Sequence, residues 1–318
     1  MPFVARLRVA ALLSGLYLGS PIGSSQTLVP RAYVITPNDA NAIVVTYGYN
    51  TGNFSFDSSI PVTDAGAQVS IPVLSYYHSF GLFGRSANVT ASLPYGVGTY
   101  AGTVIGVHHS IYRSGLVDSQ YRFSVNLKGG PAMPVEDFKR WQQKMLLGVS
   151  LTVVAPTGQY DPRRLVNPGS NRWAFKPELG WSWRRGRWIL DAYGGAWLFT
   201  GNDRYFPGYS LQTEQAIGSL ETHLSRNIRP RFWFSIDGNV WFGGITTLNG
   251  VVNVRTRQTS SRVGVTASVP VSRHQSLKVS YSLADYALFG GDFNNVTVAW
   301  QYSWIGKPWG TGSQRSSP

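Results

Sequence analysis

After Asn171, apolar and polar side chains alternate over about twelve consecutive positions. Phe175, Pro177, Leu179, Trp181 and Trp183 fall on one face of an extended chain, and Lys176, Glu178, Gly180 and Ser182 on the other. A period of two marks a strand with unlike faces. Strands of soluble sheets usually run about 5–6 residues. A run roughly twice that length predicts a strand that crosses a bilayer, one face toward lipid and one toward a lumen.

The same plan recurs. Phe232, Phe234, Ile236, Val240 and Phe242 alternate with Trp233, Ser235, Asp237, Asn239 and Trp241; Val296, Val298, Trp300, Tyr302 and Trp304 alternate with Asn295, Thr297, Ala299, Gln301 and Ser303. From Ala42 onward the pattern divides into about twelve strands, and no helical period of any length interrupts it. Their expected limits are 43–50, 68–80, 86–94, 119–127, 145–156, 172–184, 188–200, 213–225, 231–243, 257–270, 276–287 and 293–304. The expected fold is all-β, an antiparallel transmembrane β-barrel. About twelve strands lie between the filled eight and the open sixteen, which predicts a narrow or plugged lumen.

Connection lengths test this independently, because such barrels put short turns on the periplasmic side and longer loops outside. With a periplasmic N-terminus the turns at 81–85, 185–187, 227–230 and 271–275 are short, and the segments 51–67, 95–118, 157–171, 201–212 and 244–256 are long and external. The connection 128–144 breaks the rule, and V-E-D-F-K-R-W-Q-Q within it predicts a short amphipathic helix at or inside the barrel mouth. Pro72 and Pro177 fall within expected strands, where a missing N–H predicts a bulge or an early strand end.

Only 14% of residues are charged, well below the usual quarter, and 14% are aromatic. There is no cysteine, which excludes disulfides, a thiolate nucleophile and a lipoprotein anchor. Residues 1–25 have the form of a secretory signal: Arg6 and Arg8, an apolar run from Val9 to Leu18, then Gly23, Ser24 and Ser25 before a mature start near Gln26. Residues 26–305 are then the barrel and 306–318 a tail. The net charge of +13 is not gathered into a run, so the basic residues read as solvated rim charges rather than a nucleic-acid surface, with contacts to lipopolysaccharide phosphates or a field attracting anionic solutes as the alternatives.

The segment A-P-T-G-Q-Y-D-P-R-R-L-V-N-P-G-S-N-R-W-A-F-K-P-E-L-G at 155–180 resembles a family named for the meta-pathway of phenol degradation, a group of outer-membrane transporters. G-L-V-D at 115–118, G-G-P-A-M at 129–133, T-G-N at 200–202, H-L at 223–224 and G-G-I-T-T-L-N-G at 243–250 extend the resemblance from about Gly115 to Trp304. It implies an outer-membrane β-barrel of a Gram-negative bacterium that takes up aromatic or other hydrophobic compounds.

Ionisable groups within a membrane span are costly unless they line water or pair with each other. The residues expected to face the lumen are Arg122, Lys176, Glu178, Asp191, Glu221, His223, Asp237, Arg262 and Lys278. Both signs are present, so they form either a paired network that fixes the barrel or a polar ladder for a solute. In the outer loop 157–171, Asp161, Arg163, Arg164, Asn167 and Asn171 stand among turn-forming Pro and Gly, as a self-bonded cap or a constriction folded into the mouth. No G-x-S-x-G elbow occurs, and His108, His109 and Ser110 form no triad by spacing. The His pair has no third metal ligand, and the glycines at 96, 98 and 102 lack the helix a dinucleotide site requires. The expected protein is therefore no enzyme and binds no cofactor. It is a channel for small, aromatic or hydrophobic solutes, with a non-conducting structural or partner-binding barrel as the alternative. A secreted soluble sandwich is a third possibility, and it requires the apolar face to be buried.

Overall fold

The structure, a computed structural model, describes residues 28–54, 62–287 and 291–306. The expected signal at 1–25 and all but the first residue of the expected tail lie outside the described residues. In chain order the strands are β1 (Ala40–Phe54), β2 (Val62–Leu82), β3 (Arg85–Val104), β4 (Val107–Leu116) and β5 (Ser119–Lys128). A four-residue helix α1 (Val135–Phe138) follows, then β6 (Met145–Ala155), β7 (Ala174–Arg185), β8 (Trp188–Phe199), β9 (Asn202–Tyr205) and β10 (Ser210–Glu214). The last are β11 (Ile217–Arg229), β12 (Phe232–Gly243), β13 (Thr246–Leu248), β14 (Val251–Asn253), β15 (Gln258–Pro270), β16 (Gln275–Ala287) and β17 (Gly291–Ile305).

Twelve of these make one antiparallel wall: β1–β3, β5–β8, β11, β12 and β15–β17. Each pairs with the next in sequence, and β1 pairs with β17 from Ala40↔Ile305 to Phe54↔Gly291, so the sheet closes on itself and leaves no open edge. The short turns are compact because the backbone permits it. Phe83 and Gly84 both have positive φ, 49° and 73°, the type I′ geometry whose twist matches the flanking strands.

Burial is inverted relative to a soluble protein. The apolar face is open, with Leu179 at 52%, Val265 at 53% and Ile236 at 60% exposure, while Lys176, Glu221, Asp237 and Arg262 on the opposite face are at most 2% exposed. This excludes the soluble sandwich, which needs the reverse. Trp183, Trp188, Trp300 and Tyr302 lie outward near the short-turn rim, where aromatic girdles meet headgroups.

Several expectations need correction. Residues 95–118 are not a loop: β3 runs on to Val104 and returns as β4, paired from Tyr95↔Leu116 to Val104↔Val107, a hairpin beyond the wall. The expected strand at 213–225 is two elements, β10 and β11, and β10 belongs with β9, β13 and β14 to a separate four-stranded sheet built from the outer loops. Neither proline ends or bulges its strand. Pro72 keeps its place opposite Tyr47, and pairing with β3 skips only from Ser70↔Val97 to Val73↔Pro94 at unchanged register. Pro177 likewise stays opposite Leu151 while pairing with β8 skips from Phe175↔Leu198 to Glu178↔Gly195. A proline removes one N–H, which points to one neighbour, so only that side of the ladder opens.

The expected helix in the long periplasmic connection is present but short. Phe138 is buried with Met133, Ile35 and Leu146. Ile35 belongs to residues 28–39, which form no wall strand and lie across the lumen. Val29, Arg31, Tyr33, Ile35 and Thr36 are all at most 5% exposed.

Candidate functional site

The site is built from wall strands whose second face has nowhere to point but inward. From β7, Lys176 meets Glu178 at 2.6 Å and Glu221 of β11 at 3.0 Å. Glu221 lies 3.6 Å from His223, whose Nδ1 is 2.9 Å from Asp237 of β12. Asp237 in turn accepts a hydrogen bond from Thr266 of β15 at 2.8 Å. Two residues along one strand and one step across a pair account for Lys176–Glu178, Glu221–His223 and His223–Asp237, whereas Lys176 reaches Glu221 by passing over Gly195 of the intervening β8. Arg262 donates to Ser282 at 2.9 Å, and Asp191 accepts from the Arg31 backbone N–H at 3.2 Å. Of the residues expected in the lumen, Lys176, Glu178, Glu221, His223 and Asp237 come together as one alternating-charge row. Asp191 of β8 stands directly opposite His223 in register, Arg122 and Arg262 are buried elsewhere on the same inner surface, and Lys278 is half-buried.

The N-terminal segment is the part that strand reasoning missed. Arg31 Nε donates to Ser225 at 3.0 Å and Nη1 to Asn227 at 2.9 Å, and its guanidinium lies 4.2 Å from the Trp233 ring centroid. Tyr33 hydroxyl sits 2.9 Å from Ser150 Oγ and 3.0 Å from Glu178 Oε1. Its ring lies on Gly148 and Gly180, which are register partners on β6 and β7. A Cβ on Gly148 would stand 2.5 Å from the ring, and one on Gly180 would overlap it. These two glycines are a slot cut in the wall for one aromatic ring. Between Pro30 and Pro37 the sequence has no strand period, and the only signal was a Tyr and an Arg set among apolar residues ahead of the first strand.

At the opposite rim the loop 157–171 is tied down rather than free. Asp118, 3% exposed, accepts from Gly158 N at 2.9 Å, Ser170 N at 2.8 Å and Ser170 Oγ at 2.5 Å. Asn202 accepts from Asn171 Nδ2 at 2.8 Å and donates to Tyr160 at 2.9 Å. Asn167 closes the loop on itself, accepting from Asp161 N at 2.9 Å and donating to Arg164 O at 2.7 Å. Asp161 pairs with Arg163 and Arg164, each at 3.2 Å, and the Arg163 side chain holds its carboxyl below the usual carboxylate range. Asp118, the loop and Asn202 come from G-L-V-D, the long central motif and T-G-N, so three separated motifs form one knot.

The sequence profile of a family described as the MetA-pathway of phenol degradation matches residues 37–304, including the first strands, where the quoted motifs are sparse. Comparison with curated proteins gives no match. Among solved structures, an outer membrane channel from Pseudomonas putida F1 superposes at TM-score 0.72 with 17% identity, over 87% of this chain and all of that one (100%). The β domain of the Bordetella autotransporter BrkA gives 0.47 with 11% identity over 84% and 100% of the two chains. The Pseudomonas putida toluene transporter TodX gives 0.45 with 11% identity over 88% and 95%. A closed twelve-stranded barrel with an apolar exterior, a charged interior and this fold likeness is an outer-membrane protein, and the chain belongs to the MetA-pathway of phenol degradation family.

Proposed function

We propose that the protein is a narrow outer-membrane channel for small aromatic or hydrophobic solutes, with the lumen-facing polar residues as its path. The carrying observation is the inner surface: hydroxyls, amides and paired charges line a barrel whose outside is apolar, the arrangement that lets a polar or amphipathic solute cross without entering lipid. The family's association with phenol degradation supports an aromatic solute. The N-terminal segment across the lumen narrows that path, so conductance is expected to be small. Purified mature protein in planar bilayers should give discrete low-conductance steps, and Tyr33→Ala, which empties the glycine slot, should raise them.

The same segment favours a second reading, a barrel that never conducts and serves as an anchor or partner-binding platform. Silence from both the wild-type protein and Tyr33→Ala, with both folded, would reject the channel in its favour.

A further inference from the structure

A cavity of about 510 Å³ opens at the short-turn rim, between the segment after α1, the β7–β8 and β11–β12 turns and the N-terminal segment. Of its fourteen lining residues seven are Lys or Arg and none is Asp or Glu. Arg184 and Arg187 come from one hairpin, Arg229 and Arg231 from the next, Lys139 and Arg140 follow α1, and Arg31 reaches it from inside. Some of this charge is occupied: Lys139 pairs with Glu136 at 2.8 Å, and Arg231 donates to the carbonyls of Ser272 and Gln275. Arg31 is not fully used. It is 5% exposed, yet its Nη2 is buried with no hydrogen-bond partner among the described residues. A buried guanidinium N–H normally has an acceptor. Arg31 lines the inner end of this cavity, and the other charged residues of the lining are all cations.

We propose that this cavity binds a small organic anion, a carboxylate on an aromatic body. A guanidinium fork matches a carboxylate in bidentate geometry, and cations converging on a concave surface focus a field that attracts it. The aromatic part is specified by the other wall. Half-buried Trp141, backed by the buried Phe138 at a centroid distance of 6.0 Å and 22°, stands there with Ile228 and Pro230. The volume falls within the roughly 300–1,000 Å³ of small-molecule sites. The proposal rests on the channel reading only in making this the last station before the periplasm; binding itself needs no conduction.

Calorimetric titration of the full mature protein in detergent tests it, with benzoate as probe, benzamide as its neutral counterpart and inorganic phosphate as an anion without a ring. Benzoate should bind saturably, and benzamide and phosphate at least about ten-fold more weakly. Arg187→Gln combined with Arg229→Gln should weaken benzoate by about ten-fold or more while the barrel keeps its heat-modifiable gel mobility. Arg187 lies in a turn and Arg229 at the last position of β11, both with exposed side chains, so folding is preserved. The proposal is overturned if benzoate gives no heat at millimolar concentration, if benzamide or phosphate binds as tightly, or if the double variant binds unchanged. Benzoate binding without conductance would fail the channel reading alone, and conductance without benzoate binding would fail this one alone.

Discussion

The middle of the lumen and its periplasmic mouth are both rich in charge, and they use it in opposite ways. In the middle, Lys176 has Glu178 and Glu221 within 3.0 Å and His223 stands between that same Glu221 and Asp237, so the charges satisfy one another. At the mouth seven cationic side chains share a cavity with no acid in its lining. Opposite charges out of water must pair or be lost, whereas charges at a rim can stay hydrated and wait for a ligand. The first region is held together by its charges, and the second is only furnished with them.

The sharpest way to break that contrast is to delete one cation from each region. Lys176→Met removes the cation that Glu178 and Glu221 share, leaving them only the Tyr33 hydroxyl and His223, and is expected to destabilise the barrel by about 3–5 kcal/mol in urea unfolding, whereas Arg187→Gln should change stability by less than about 0.5 kcal/mol. Equal effects would show that the mouth is structural too. Next in size is the glycine slot. Gly180→Ala should cost about 1–3 kcal/mol by displacing the Tyr33 ring, and most of that cost should vanish in a Tyr33→Ala background. A cost that persists there would mean the wall itself needs the glycine.

The outer knot should respond locally. Asp118→Asn keeps the shape but weakens bonds to Gly158 and Ser170, so protease clipping within 157–171 should accelerate while the heat-modifiable barrel remains intact. The smallest effect belongs to the exposed pair beside it. Because Asp161 has a folded pKa below its unfolded value, its contribution is present above the unfolded pKa and lost as pH falls through the folded one. Clipping of the loop should therefore rise modestly on acidification below the ordinary carboxylate range, and Arg163→Ala should flatten that rise. Surface pairs contribute little, so a large effect would mean the loop is more buried in the membrane-bound protein than here.

The wall was largely legible in the sequence because each strand carries its own evidence. Phe232 to Phe242 alternates whether or not its neighbours are known, and β12 spans Phe232–Gly243. The β3–β4 hairpin was misread because Tyr95–Val104 is rich in glycine and has no lipid to demand an apolar face beyond the wall. Each lumen residue could be assigned an inward face, and Glu178, two residues from Lys176 on the same face, was a legible partner for it; partners on more distant strands were not. That Lys176 binds Glu221 as well as Glu178 follows from β7 and β11 both flanking β8, a matter of strand order and closure rather than of spacing.

The barrel is legible from patterning alone: period two is a local covalent consequence of the extended chain, and a bilayer imposes the same apolar demand on every strand. What the barrel contains follows from its closure in three dimensions. Tyr33 meets Gly148 and Gly180, Arg31 meets Ser225, and the cations of four separate segments surround one cavity because a closed wall folds distant residues onto a common interior. No periodicity encodes such meetings, since they depend on the ring's closure and on an irregular segment whose shape is set by what surrounds it.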